Sequence, residues 1–132
     1  MKSKIHTLIA FDFGKRRIGV AIGNTLTCSA RPLEIIDARN KIKRFMAISK
    51  IIKAWSPNYL VVGLPIYPDG SDHPFSSTCS KFAKQLGDNF GLEVILEDER
   101  WTSALAKVDG PDDAVAAAII LEGVLNASTN ST

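Results

Sequence analysis

The sequence predicts one α/β domain built on a five-stranded mixed sheet with helices on both faces, and three observations lead to it. Three short apolar runs follow one another before any helical periodicity begins. After them, stretches with apolar residues every three or four positions alternate with further short apolar runs, as helices alternate with strands. The 132 residues, 45% hydrophobic and 23% charged, suit a single packed body of ordinary domain size.

The elements follow in order. Residues 6–13 (HTLIAFDF) and 17–24 (RIGVAIGN), parted by Gly14 and a trio of cations, read as a hairpin. Residues 27–36 (TCSARPLEII) come after a polar turn at Asn24 and Thr25 and complete an antiparallel meander. Pro32 favours an edge position there, because proline has no N–H to give to a ladder. Between Lys41 and Trp55, the residues Phe45, Ile48, Ile51, Ile52 and Trp55 make one stripe of an amphipathic helix, which Pro57 stops. Residues 59–64 (YLVVGL) are almost wholly apolar, as a strand covered on both faces requires. A breaker-rich loop, PIYPDGSDHP, precedes a second helix marked by Cys79, Phe82, Ala83, Leu86 and Phe90 and ended by Gly91. Residues 92–97 (LEVILE) give a fifth strand. An alanine-rich stretch from Pro111 to Leu125 gives the closing helix, with proline near its first turn. The domain is expected to span residues 1–126, with a frayed polar tail at 127–132.

Composition narrows the function. A formal charge of +2 does not by itself advertise a nucleic-acid binder, so the placement of the cations has to decide. Cys28 and Cys79 are too few and too far apart for a metal knuckle or a disulfide framework, and both are read as reduced thiols. The start of the chain lacks the features of a secretory signal, and no apolar run approaches the roughly 20 residues of a membrane span, so a cytoplasmic protein is expected.

Acidic residues raise the chemical question. Asp12 sits near the end of an apolar strand, where a charge must be paired, hydrogen-bonded or bound to metal. Read alone, it could equally cap the turn with Gly14. Asp98 and Glu99 follow the fifth strand, and Asp112 and Asp113 open the last helix, where acids ordinarily serve the helix dipole. Parallel neighbours, however, bring such ends to one edge of a sheet. Carboxylates gathered there repel unless a divalent cation neutralises them, and hard oxygen ligands suit magnesium or manganese. Lys15, Arg16 and Arg17 stand beside Asp12, where they could meet phosphates or simply solvate a turn. His6 and His73 read as ordinary solvent or strand-end residues.

The segments FDFGKRRIGVAIG, VVGLPIYPDG, EDERWTS and DAVAAAIILEGVL resemble, over nearly the whole chain, the YqgF (RuvX) family of pre-16S ribosomal RNA nucleases, related to the RuvC Holliday-junction resolvases. The resemblance implies a ribonuclease H-like fold and phosphodiester hydrolysis assisted by divalent metal, with nucleic acid as partner and no membrane. It matches Asp12 to the acid of the family's first strand, Glu99 to that of its D-E-R motif and Asp113 to the acid before its last helix. Two Mg2+ or Mn2+ ions about 4 Å apart would then serve in-line attack on phosphorus. Asp98 is the rival of Glu99, since neighbouring strand residues face opposite ways. Lys15, Arg16, Arg17 and Arg100 are the candidates for phosphate contacts. By the same resemblance the loop from Pro65 to Gly70 borders the active edge, where Gly63 permits close approach and Tyr67 offers a ring for a base.

Only WTSALAKVDGPD separates Arg100 from Asp113, where members of the family usually carry a longer, cation-bearing stretch. Either a substrate-binding flap is trimmed or residues are missing there. Precursor 16S ribosomal RNA is the expected substrate, with branched DNA as the alternative, and a monomer or weak dimer is expected. Two readings from other classes compete. An ATP-handling protein of the actin and sugar-kinase type is suggested by Asp12, Gly14 and Gly19 but needs a second domain. A non-catalytic RNA-binding assembly factor has no use for three acids that repel phosphate.

Overall fold

In the computed structural model, residues 5–67, 69–99 and 113–130 are described. Strand β1 (Thr7–Phe13) pairs antiparallel with β2 (Arg17–Asn24), and β2 with β3 (Ser29–Asp37). On its other side β1 pairs parallel with β4 (Tyr59–Leu64), and β4 with β5 (Glu93–Asp98), so the sheet order is β3-β2-β1-β4-β5. Helices α1 (Lys41–Trp55), α2 (Ser76–Phe90) and α3 (Asp113–Asn130) complete the expected α/β architecture. The last helix thus continues to Asn130, past the expected end at Leu125, because a helix already formed adds a turn at little cost in order.

Strand alternation divides the sheet into two faces. Ile9, Phe11 and Phe13 of β1 join α1 and α2 in one core, through Ile48, Ile51, Phe82 and Leu86. Leu8 and Ala10 point the other way and pack under Ala116, Ile120, Leu121 and Leu125 of α3. The central strand β4 is sealed on both faces, with Leu60, Val61 and Val62 wholly buried, as its unbroken apolar run requires. Pro32 lies on β3, an edge strand, where the β2–β3 register shifts between Val20 and Ala21 and the missing N–H breaks no interior ladder. The α3 face of β2 carries Gly19, Ala21 and Gly23. These small residues let the alanine face of α3, with Ala117 and Ala118 on Ala21, approach the sheet closely.

Local signals set the helix ends. Asn40 caps α1 by accepting the Lys43 backbone N–H at 3.0 Å, and Asn40→Ala should lower the unfolding free energy by about 1 kcal/mol in a urea titration. At the other end of α1, Ser56 adopts the left-handed conformation and donates its N–H to Ile52, so the turn at Ser56 closes the helix just ahead of Pro57. Gly91 takes the same conformation after α2, at φ 65°, without the Cβ cost that Ser56 bears there. Ser76 Oγ donates to the Pro65 carbonyl and fastens the start of α2 to the end of β4. Cys28 and Cys79 are free thiols. Among the described residues no helix is long and apolar enough to cross a membrane.

Candidate active site

The carboxyl ends of β1, β4 and β5 lie side by side because the three strands are parallel. Asp12 is the next-to-last residue of β1, on the α3 face by alternation, and only 5% exposed. The β1–β4 register sets Phe11 beside Val62, which makes Gly63 the next position along from Asp12's side of the ladder. Glu99 follows β5 directly and is 4% exposed. A methyl group built on Gly63 would stand 3.1 Å from Glu99 Oε2 and 2.6 Å from Ile120 Cδ1. The missing side chain of Gly63 is therefore the notch that the Glu99 carboxylate occupies, next to Asp12.

Asp12 and Glu99 line one cleft of about 590 Å³, together with Lys15, Pro65, His73, Phe75 and Thr78. Phe13 stacks at 4.2 Å on Phe82 and at 5.7 Å on Phe75, which locks α2 beneath the strand end that carries Asp12. Asp98 closes β5 and Glu99 stands just beyond its end, so strand alternation does not reach the pair; of the two, Glu99 lines the cleft. The carboxyl end of β5 is also strongly acidic. Burial, with the charge of Asp98, pushes the Glu97 carboxyl upward from its ordinary range.

Asp113 reaches the same face from the other side. Gly19 is the cross-strand partner of Asp12, and a methyl group on it would lie 1.9 Å from the Asp113 carbonyl oxygen. The first residue of α3 thus rests on the strand rung that carries Asp12. Its carboxylate, however, accepts from Arg17 Nε at 3.0 Å. Among the described residues, no three His, Cys, Asp or Glu side chains form a ready-made ion site.

Of the expected phosphate contacts, Lys15 is exposed at the mouth of the cleft. Arg16 and Arg17 border a separate recess with Asp37 and Arg39. Hydrogen bonds from the Arg39 side chain and backbone hold the Asp37 carboxyl well below the usual range. Arg100, Asp112 and the short stretch between Arg100 and Asp113 fall outside the described residues.

His73 is the residue that periodicity could not place. It lies in a breaker-rich loop, yet it lines the cleft, its Nδ1 accepts the Phe75 N–H at 3.0 Å, and its ring stands 5.0 Å from that of Tyr67. Its position after the carboxyl end of a parallel strand was the available signal.

The chain matches the RuvX family, described as Holliday junction resolvase, over residues 6–127. It belongs to that family. A Bordetella avium protein named "Putative pre-16S rRNA nuclease" is 52% identical over 124 residues, covering 91% of this chain and 95% of that protein. A Paraburkholderia xenovorans protein of the same name is 47% identical over 128 residues, covering 91% and 88% of the two chains. The fold is that of RuvC from T. thermophilus, solved with a Holliday junction substrate: TM-score 0.60, 15% identity, 96% of this chain and 97% of that one. The fowlpox virus Holliday junction resolvase shares it, with TM-score 0.55, 16% identity, and 93% and 99% coverage. The sheet is accordingly ribonuclease H-like, as the RuvX motifs imply.

If the cleft holds a divalent ion, Glu99→Gln should reduce the ion's thermal stabilisation more than Asp98→Asn does, because of the two only Glu99 lines the cleft with Asp12. Melts in Mn2+ read the difference directly, and a larger loss in Asp98→Asn would reverse the assignment.

Proposed function

We propose that this RuvX chain is a divalent-metal-dependent endonuclease acting in processing of precursor 16S ribosomal RNA in the cytoplasm. The observation that supports it best is the convergence of two nearly buried carboxylates, Asp12 and Glu99, on one open cleft. The names of the relatives, with identities near one half, point to the RNA substrate.

The donors fit magnesium or manganese. They are hard carboxylate oxygens, and Gly63 leaves room for one of them against Asp12. Asp12 and Glu99 would hold the ion or ion pair, with Asp113 as third ligand. A bound divalent ion supplies charge neutralisation at phosphorus and a water of lowered pKa. The chain's own residues do the remaining work. Lys15, at the mouth, is placed to meet a phosphate entering the cleft, and Arg16 and Arg17 to meet its neighbours. Phe13 and Phe75 keep the wall beside Asp12 apolar, which strengthens electrostatic interactions near the carboxylates. His73 lines the same cleft, its ring oriented by the Phe75 N–H that its Nδ1 accepts.

The test is a cleavage assay in Mg2+ or Mn2+ on precursor 16S ribosomal RNA, single-stranded RNA and four-way DNA junctions. Metal-dependent cutting of the precursor, lost in excess chelator, is the expected result. Preference for junctions would move the activity to the substrate named in the family's description. Tight RNA binding with no cleavage in any metal would make the protein an assembly factor.

A further inference from the structure

Beside the cleft, on the outer strands of the meander, Arg16, Arg17 and Arg39 surround a second recess of about 390 Å³, with Ile35 and Asp37. Asp37 engages Arg39 with both oxygens, at 3.0 Å from Nε and 2.8 Å from Nη2. That contact fixes the guanidinium plane and uses only part of its donor set. Three guanidinium groups against two carboxylates, Asp37 and the Asp113 that meets Arg17, leave the recess positive, and their planar forks match phosphate oxygens.

Arg17 belongs to both sites. Its Nε donates to Asp113 Oδ2, while its side chain is 69% exposed and that of Asp113 26%. An ion pair this open to solvent is weak and easily exchanged. A phosphodiester seated in the recess presents oxygens that compete directly for the same fork, and it is held there by Arg16 and Arg39 as well. Once Arg17 turns to phosphate, the Asp113 carboxylate has lost its cation, on the face it shares with Asp12.

We propose that the Arg16–Arg17–Arg39 recess is a phosphate subsite for a nucleotide flanking the cut, and that Arg17 couples it to ion binding. In the free protein Arg17 withholds Asp113, and a bound phosphodiester releases it to join Asp12 and Glu99. The coupling rests on reading those three acids as ion ligands. By linkage, nucleic acid and ion then favour each other's binding.

Two titrations of the full chain test this, one with Mn2+ alone and one with a short single-stranded oligoribonucleotide in the absence of metal. Arg17→Gln should tighten Mn2+ binding about fivefold or more, and the gain should vanish in the Asp113→Asn background. Arg17→Lys, which keeps the charge but not the fork, should show a smaller gain and guards against a folding defect. Arg39→Gln should weaken the oligonucleotide and lower its salt slope by about 0.7, the share of one single-strand phosphate contact. Unchanged Mn2+ affinity in Arg17→Gln, or a gain that persists without Asp113, overturns the coupling. An unchanged salt slope in Arg39→Gln overturns the subsite. If Asp12→Asn binds Mn2+ as the parent does, the ion site itself falls and the coupling with it, so the two failures are told apart.

Discussion

Asp12→Asn should lower cleavage by at least about a hundredfold while the protein stays folded, since even the outer partners of metal ligands are worth 10–100-fold. Asparagine keeps the shape of the side chain and removes its charge. In metal-free protein that removal relieves a buried carboxylate beside the cleft it shares with Glu99, so the variant should melt at or above the parent temperature. On the proposed reading Mn2+ should bind the folded site and scarcely the unfolded chain. At a hundred times its dissociation constant it should stabilise the parent by about 2.7 kcal/mol, and the variant should forfeit most of that. An aspartate that only caps the turn at Gly14 gives the opposite pattern, a loss of about 0.5–2 kcal/mol with the ion response intact. Melts of both proteins with and without Mn2+ separate the two, and a destabilised variant with a full Mn2+ shift would remove Asp12 from the site.

What the sequence disclosed about this fold was carried by short-range pattern. The apolar run RIGVAIGN became a buried strand and the proline at position 32 lies on an edge strand, while the helical stripe buries only its middle, Ile48 and Ile51, and leaves Phe45 and Trp55 exposed at its ends. Asp12 and Glu99 share a cleft because parallel strands end together, which the sequence pattern implied, whereas the notch at Gly63 that takes the Glu99 carboxylate shows only in the fold. The partner of Asp113 was not legible. Arg17 lies 96 positions away, and nothing in either neighbourhood distinguishes an acid that serves the helix dipole from one held by a distant guanidinium. His73 escaped for another reason, since a loop of breakers has no period from which to deduce what faces a cleft.

Gly19→Ala should be the most damaging glycine-to-alanine change among the described residues, and it tests how Asp113 is brought to the site. The added carbon would lie 1.9 Å from the Asp113 carbonyl oxygen, 2.1 Å from its carbonyl carbon and 2.6 Å from the Ala114 nitrogen. All three are backbone atoms, so no rotamer change can relieve the overlap, and the start of α3 must lift from β2. Overpacking of this kind costs about 1–3 kcal/mol, and a clash confined to backbone belongs at the upper end. Gly87→Ala supplies the contrast. Its methyl group would meet the Leu92 carbonyl oxygen at an ordinary 3.4 Å, inside α2, where alanine exceeds glycine in helix propensity by up to about 1 kcal/mol. Urea titrations should therefore show opposite signs for two identical substitutions, with the transition slope unchanged. Lifting α3 also carries Asp113 away from Asp12 while leaving Glu99 in its notch at Gly63. Mn2+ stabilisation of the free protein should then fall far less in Gly19→Ala than in Asp12→Asn, since Arg17 already holds Asp113 back there. A Gly19→Ala protein as stable as the parent, with its full Mn2+ response, would mean that α3 does not rest on β2 at this rung and that Asp113 reaches the cleft by some other route.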